Sequence, residues 1–418
     1  MNQLVFTIIL IAAIAVLLRS FWQIRANFAL TRDVAFDGQV MKRLRLTAKV
    51  ALGQTKILRK PFIGLMHALV FWGFIVITIG SLEMVIDGVS GWHRSLSIVG
   101  PLYTVIAASG DIFAYVVLAG IILFLARRLL MHIRRFEGAE LTNANKTDAA
   151  IALGFIMLLM LSLIGLNMTD LYLHGSELPG AYPVSASLLP YFDLSTVNAE
   201  VMYSFYWWTH ILLIFIFANY LPYSKHFHVF MSLPNVFFSN LNPLTYLPSM
   251  PEVQKEVALM LSGNAYDAAP PEQPRRFGVK DVEDITWKNY MDALTCTQCG
   301  RCTEVCPANI TGKLLSPRKL FVDIRARMDE KSKNGSGHFL LGDYISKEEL
   351  WACTTCNACA QECPLNISHP NLIMDMRRYL VLEEGDAPDE LNAMFANIEN
   401  NGAPWKYSAE DRLKWTEA

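Results

Sequence analysis

Eight cysteines carry the most explicit chemistry in this chain. They stand as Cys296, Cys299, Cys302 and Cys306, then as Cys353, Cys356, Cys359 and Cys363, and a proline follows the last cysteine of each run. Three thiolates close together and a fourth just before a proline is the spacing that ligates a [4Fe–4S] cluster, and the fourth thiolate of such a run usually serves the other cluster. The expected sets are therefore Cys296, Cys299, Cys302 and Cys363 for one cluster, and Cys353, Cys356, Cys359 and Cys306 for the second. Zinc uses paired CxxC units and gives no role to a third and fourth thiol at this spacing. Disulfides suit small exported domains, not a chain of 418 residues. Both clusters together use every cysteine of the protein, so no thiol remains for catalysis.

The elements around these cysteines fall into two halves. Hydrophobic residues make up 53% of the chain and charged residues 18%, with a mean hydropathy of +0.28. The apolar residues concentrate in the first 230 positions, which predicts a membrane half followed by a cytosolic half. The net charge of −2 selects no class of partner. No glycine-rich phosphate loop or dinucleotide fingerprint occurs, which argues against a flavin or nicotinamide site. Five segments are long enough to span: Leu4–Leu18 with flanks, Phe62–Ile86, Leu102–Ala126, Ala149–Met168 and Val201–Leu221. The first lacks a basic lead and a small-residue cleavage site, so it reads as an anchor rather than a removed leader. From Arg19 to Lys60 there are ten Lys and Arg against two acids, and from Arg127 to Lys146 five more basic residues. The loops Glu83–Pro101 and Asp170–Glu200 hold a single basic residue, Arg94. Basic loops stay inside, so the N-terminus is expected outside and everything after Leu221 in the cytoplasm.

Histidines within such spans are costly and need a reason. His67 lies seven residues past Lys60, about 10 Å deep at 1.5 Å per residue. His210 and His228 are 18 residues apart, five helical turns, which puts both imidazoles on one face about 27 Å apart if the helix continues. A haem iron takes axial imidazoles from facing helices, so His67 can pair with only one of them. His226 reads as exposed beside Lys225, and His93, His132 and His174 lie in or beside loops. Asp111 sits in the third span: it either assists proton transfer to a quinone or lies at the interface, should the helix start near Gly110.

The spans, the basic loops and the run W-T-H-I-L-L through L-P-Y-S-K-H-F-H-V-F resemble the membrane cytochrome b subunit of respiratory nitrate reductase over residues 1–232. That resemblance implies His210 and His228 as haem-ligating positions, with His67 as the partner of His228. The family's second ligand on the second helix corresponds to Ile77 here. One haem b bound by His67 and His228 is therefore expected. His210 is left for a quinone site with Asp111, or for a second haem b with a loop histidine such as His93 or His174.

Residues 233–285 read as an irregular, proline-rich connector with one short helix near Pro251–Ser262. In the third segment, 286–418, helix starts are expected at Ser316-Pro317 and at Ser346, whose Glu349 completes a capping box. Asn371–Glu384 and Pro388–Ile398 read as two further helices, the last stopped near Gly402. Forty-six residues separate Cys306 from Cys353. This layout is similar to the α-helical ferredoxins of succinate dehydrogenase and heterodisulfide reductase iron–sulfur subunits.

The fold class expected is all-α, a five-helix transmembrane bundle followed by an α-helical ferredoxin domain. As a whole the chain resembles the N-terminal part of membrane-bound heterodisulfide-reductase-like (Fe–S)-binding oxidoreductases, which include electron-transfer-flavoprotein:menaquinone oxidoreductases. W-K-N-Y-M-D-A-L-T-C-T-Q-C-G-R-C-T-E-V-C-P is the most specific piece. The resemblance implies a multi-pass subunit of the cell inner membrane that passes electrons through two [4Fe–4S] clusters and haem b to menaquinone. Longer members carry paired CCG cysteine-rich domains. No CC pair occurs here, so a CCG-domain subunit, an electron-transfer flavoprotein or both are the expected partners. A haem-free anchored ferredoxin, acting as a docking and relay module, is the alternative.

Overall fold

The computed structural model describes residues 2–138, 140–192, 196–262, 276–335 and 337–417. Among the described residues five helices are long and apolar enough to cross a membrane. They are α1 (Gln3–Ala29), α2 (Pro61–Ser90), α3 (Pro101–Leu130), α4 (Asn143–His174) and α5 (Thr196–Tyr220). Prolines at the first turn of α2 and α3 supply the helical φ where no N–H is needed. Gly91, at φ 76°, ends α2 in the left-handed conformation. With apolar side chains on all sides, the helices approach through small residues, as lipid-facing bundles do. A Cβ on Gly73 would meet Val117 Cγ2 at 2.5 Å, and one on Gly165 would meet the Tyr206 ring at 2.6 Å. The bundle is built on α4 between α3 and α5, with α2 against α3 and α1 against both α2 and α5.

Two expectations change here. The fifth span does not continue to His228. Pro222 sits in a tight turn at Leu221–Tyr223, a second turn follows at Lys225–Phe227, and a new helix, α6 (His228–Phe237), begins at His228. Proline lacks the N–H that helix continuation requires, so the five-turn, one-face relation of His210 and His228 does not hold. Asp111, by contrast, lies well inside an unbroken α3, so no helix start near Gly110 puts it at an interface.

Beyond α6 come α7 (Pro251–Leu261), α8 (Trp287–Thr295), α9 (Pro317–Asn334), α10 (His369–Leu382) and α11 (Asp389–Asn401). The Ser346–Glu349 capping box forms, and Gly402 stops α11 at φ 66°. Residues 263–275 of the expected connector lie outside the described residues. Among the described residues there is no strand, only isolated bridges such as Arg32 with Thr286.

The second half encloses one core of Val279, Val282, Ile285, Leu320, Phe321, Ile324 and their neighbours. Val279 to Ile285 belong to this core although the sequence reads as connector there. Phe227, from the turn after the last span, is fully buried in the same core. The C-terminal end of α1 joins it too. Phe28 packs edge-on against Tyr290 at 4.8 Å, and Asn27 donates to the Tyr290 hydroxyl at 3.0 Å. Arg32 exchanges backbone hydrogen bonds with Ile285 and Trp287 at 2.8 and 3.0 Å.

Across this core Arg327 meets Asp281 through two parallel bonds of 2.9 and 2.8 Å, with both side chains buried. Burying a pair like this is affordable only while both members are present. Asp281→Ala is expected to destabilise the second half by about 3 kcal/mol, lowering its thermal midpoint by roughly 10 °C. The loss of cluster absorbance on heating measures this.

Candidate redox site

The two cysteine runs fold alike. Gln298 and Gly300 in the first run have φ of 55° and 74°, and Thr355 and Asn357, at the same places in the second, have 53° and 62°. Residues alternating between right- and left-handed backbone turn successive N–H groups inward, an anion-holding concavity used around iron–sulfur centres. A short helix then carries the third cysteine of each run, Arg301–Glu304 and Ala358–Glu362. The final cysteine of each run precedes a proline that opens the next segment, Pro307 or Pro364.

Cys302, Cys306, Cys359 and Cys363 are buried, Cys296, Cys299 and Cys353 half-buried, and Cys356 is exposed. Burial pushes the Cys302 thiol well up, and the nearby thiols of Cys299, Cys296 and Cys363 add to it. Burial likewise pushes Cys296 to about 12, with Cys299 and Cys363 contributing. In the other group burial carries Cys359 to about 12, with Cys353, Cys306 and Cys356 as its thiol neighbours. Cys363 thus lies near Cys296, Cys299 and Cys302, and Cys306 near Cys353, Cys356 and Cys359, while Cys359 also neighbours Cys302. Thiols crowded and dehydrated in this way ionise only around a positive centre, which fits metal ligation.

The membrane half grips these runs directly. Lys56 Nζ donates to the Cys363 carbonyl at 3.0 Å, and Arg301 donates to the Lys56 carbonyl at 3.2 Å. Lys60 pairs with Glu304 at 3.0 Å. Arg318, on α9, reaches the α3–α4 loop: its Nε and a terminal nitrogen meet Glu140 Oε1 at 2.9 and 2.7 Å, and another donates to the Arg135 carbonyl at 2.6 Å. Burial alone would raise the Glu140 carboxyl, but the Ser316 hydroxyl and the Arg318 guanidinium hold it below its ordinary value.

A cavity of about 560 Å³ runs from this seam into the bundle, within the roughly 300–1,000 Å³ range of cofactor pockets. His67, His210 and His228 all line it, as do Cys299 and Arg301 from the first cysteine run. His228 Nδ1 lies 3.2 Å from the Lys225 carbonyl. A carbonyl only accepts, so Nδ1 carries the proton and Nε2 keeps its lone pair, the form in which imidazole binds metals. His210 is held the same way, with Nδ1 3.0 Å from the Leu159 carbonyl and 2.9 Å from Ser162 Oγ. His67 Nδ1 is buried and has no hydrogen-bond partner. Arg127, Arg128 and Lys225 line the same cavity.

Other assignments fare differently. His226 is half-buried in the cavity wall rather than exposed, its imidazole pushed down to about 3 by burial and by His228. Asp111 is not among the cavity-lining residues. Its carboxylate accepts from the Val184 and Ser185 amides at 2.8 and 3.1 Å and from Ser185 Oγ at 2.5 Å, fixing the short helix Pro183–Leu188. His174 is twelve residues beyond Ser162 on α4, about 18 Å along the axis. Since Ser162 touches His210, the structure does not bring His174, or its neighbour His93, to His210. Sequence reasoning missed Lys56, Arg318 and the left-handed residues Gln298 and Thr355. Only the repeat of the cysteine spacing hinted that Gln298 and Thr355 share a conformation.

A five-helix anchor bearing paired cysteine sites defines a membrane-anchored iron–sulfur electron-transfer protein, and the comparisons with known proteins agree. Residues 295–367 match a 4Fe-4S dicluster domain. The chain is 28% identical, over 99% of its length, to a probable iron-sulfur-binding oxidoreductase FadF of Bacillus subtilis, covering 60% of that relative. It is 27% identical, over 98% of its length, to an EtfAB:quinone oxidoreductase of Syntrophomonas wolfei, covering 58% of it. A probable membrane-anchored ferredoxin of Chromohalobacter salexigens is 34% identical over 33% of this chain and 24% of its own length. The chain thus spans about 60% of the length of the first two relatives. No solved structure matches it. The homologues are iron–sulfur-binding oxidoreductases.

Replacing Arg318 with alanine strands Glu140 at the seam, an expected cost of about 3–5 kcal/mol for a broken buried pair. Faster proteolytic cleavage between the halves of Arg318→Ala, read by gel over time, is the expected result.

Proposed function

We propose that this chain is the membrane subunit of a quinone-linked respiratory oxidoreductase, relaying single electrons between a cytoplasmic redox partner and menaquinone. The observation that carries this reading is the shared cavity, one wall from the first cysteine run and the others from histidine-bearing helices. When bound, two [4Fe–4S] clusters and one haem b supply one-electron carriers. Cys296, Cys299, Cys302 and Cys363 hold one cluster, and Cys353, Cys356, Cys359 and Cys306 the other, as the thiol groupings suggest. His67 and His228, both lining the cavity, would hold the haem iron. Supporting this are the unpartnered nitrogen of His67 and the free Nε2 of His228, while Arg127, Arg128 and Lys225 offer positive charge to the acidic edge of the group. Residues 1–232 act as the cytochrome-like domain and 286–418 as the ferredoxin-like domain.

Exposure sets a direction along the chain's own residues. The exposed Cys356 marks the end that a soluble partner reaches, and Cys299 marks the end facing the bundle. His210 presents a bare Nε2 to the cavity, an acceptor suited to a quinol hydroxyl and its proton. Asp111 then acts only through the short helix that it holds. The partner on the cytoplasmic side, the side of the basic loops, is a CCG-domain heterodisulfide-reductase-like subunit, an electron-transfer flavoprotein, or both. The name of the Syntrophomonas relative supports the flavoprotein and the quinone. The name of the Chromohalobacter relative favours a second reading, a haem-free membrane-anchored ferredoxin, and a reduced α-band in purified protein separates the two.

Two measurements test the assignment. In Cys363→Ser, EPR should show damage to the cluster of Cys296, Cys299 and Cys302, with the other largely intact; loss confined to the cluster of Cys353, Cys356 and Cys359 refutes the crossed ligation. His67→Ala and His228→Ala should each abolish the α-band. His210→Ala should keep it, with quinone-linked turnover down about 100-fold, the scale of a lost proton acceptor. Haem lost from the His210 variant makes His210 a ligand instead.

A further inference from the structure

At the end of the bundle away from the cysteines, three metal-ligating side chains converge outside the cavity. His93 follows α2 in the loop to α3, and Asp170 and His174 lie one turn apart at the end of α4. His93 Nε2 is 3.3 Å from Asp170 Oδ1, and His174 Nδ1 is 2.9 Å from the same oxygen. The imidazole rings face each other with centroids 5.1 Å apart. The Asp170 side chain is fully buried, while the two imidazoles are 41% and 43% exposed. Although buried, Oδ1 has no hydrogen bond of proper geometry. His174 Nδ1 also lies 3.2 Å from the Asp170 carbonyl, so in the empty site it carries the ring proton, which passes to Nε2 when Nδ1 takes an ion.

From this geometry we infer that His93, Asp170 and His174 bind a divalent transition-metal ion of the zinc class. Zinc sits about 2.0–2.2 Å from imidazole nitrogen and carboxylate oxygen in a tetrahedral shell, so adjacent ligand atoms stand about 3.3 Å apart. Of the two measured separations, 3.3 Å matches that edge and 2.9 Å falls short of it, so an ion would move His174 outward by a few tenths of an ångström. The three donors occupy one side of the shell and leave a fourth position for water from the exposed surface. The supporting residues are already fixed. Arg94 grips the other oxygen of Asp170 through Nε and a terminal nitrogen at 3.1 and 2.6 Å, which orients the carboxylate. Asp87 accepts from the Arg94 and Ser95 amides at 3.0 Å each, and Glu83 from the Leu96 amide at 3.0 Å, so the loop bearing His93 is pinned. The ion ties the α2–α3 loop to the end of α4.

The test uses the full chain without a polyhistidine tag, purified anaerobically in detergent with its iron content verified, and Co²⁺ as the probe. The expected result is one Co²⁺ per chain with ligand-field absorption, no sulfur charge-transfer band, and displacement by Zn²⁺. His93→Ala and His174→Ala should each weaken binding at least ~100-fold with iron per chain unchanged. His93→Cys should restore binding and add a sulfur charge-transfer band, which neither a misfolded variant nor an adventitious surface site would do. Co²⁺ binding that is absent from the unmodified chain, or equal in the unmodified chain and both alanine variants, overturns the assignment.

Discussion

The contact between Arg318 and Glu140 fixes where the two halves of this protein meet. A guanidinium and a carboxylate withdrawn from water tolerate little displacement, because each loses hydration that only the other replaces. The pair ties α9 to the loop between α3 and α4, next to the Arg301 helix of the first cysteine run. Lys56 and Lys60 add bonds from the α1–α2 connection, and Arg325 adds donors to the Pro222 and Ser224 carbonyls. The first cysteine run is thereby held against the mouth of the bundle cavity. Electron exchange between buried centres depends on such fixed placement more than on any reactive side chain.

Within the bundle the polar atoms divide by task. Those of Asp111, Asp148 and Glu83 are taken up in holding short turns and helix ends. The imidazoles of His210 and His228 are oriented through one nitrogen and left with the other free. In a medium without water, a polar group with no partner is expensive. The free nitrogens facing one cavity are therefore the atoms for which the fold has made room.

Much of this was legible in the amino-acid order because its causes are local. Apolar length announced five helices, the Ser346–Glu349 pair announced a cap, and cysteine spacing announced the two runs. What was not legible depended on distant chain. The position of His228 followed from how Pro222 and Ser224 turn after α5, which reset the helix and voided the five-turn relation to His210. His226 read as exposed because its neighbour is lysine, yet the turn after α5 carries it into the cavity wall beside His228. Glutamine and threonine seldom adopt positive φ, so Gln298 and Thr355 gave no warning of their left-handed backbone. Lys56 reaches the Cys363 carbonyl across 307 positions, a pairing that no local pattern encodes.

Phe227 gives the division into halves a different meaning. It belongs by sequence to the turn that leaves the membrane, yet it is fully buried among the residues of the iron–sulfur core. The second half therefore completes its interior with a side chain from the anchor. In evolutionary terms this junction resists recombination: exchanging either half for a homologue's would bring a foreign ring, or a hole, into the centre of the other. The two halves are bound to change together, and a lineage that releases the second half from the membrane must first refill that place.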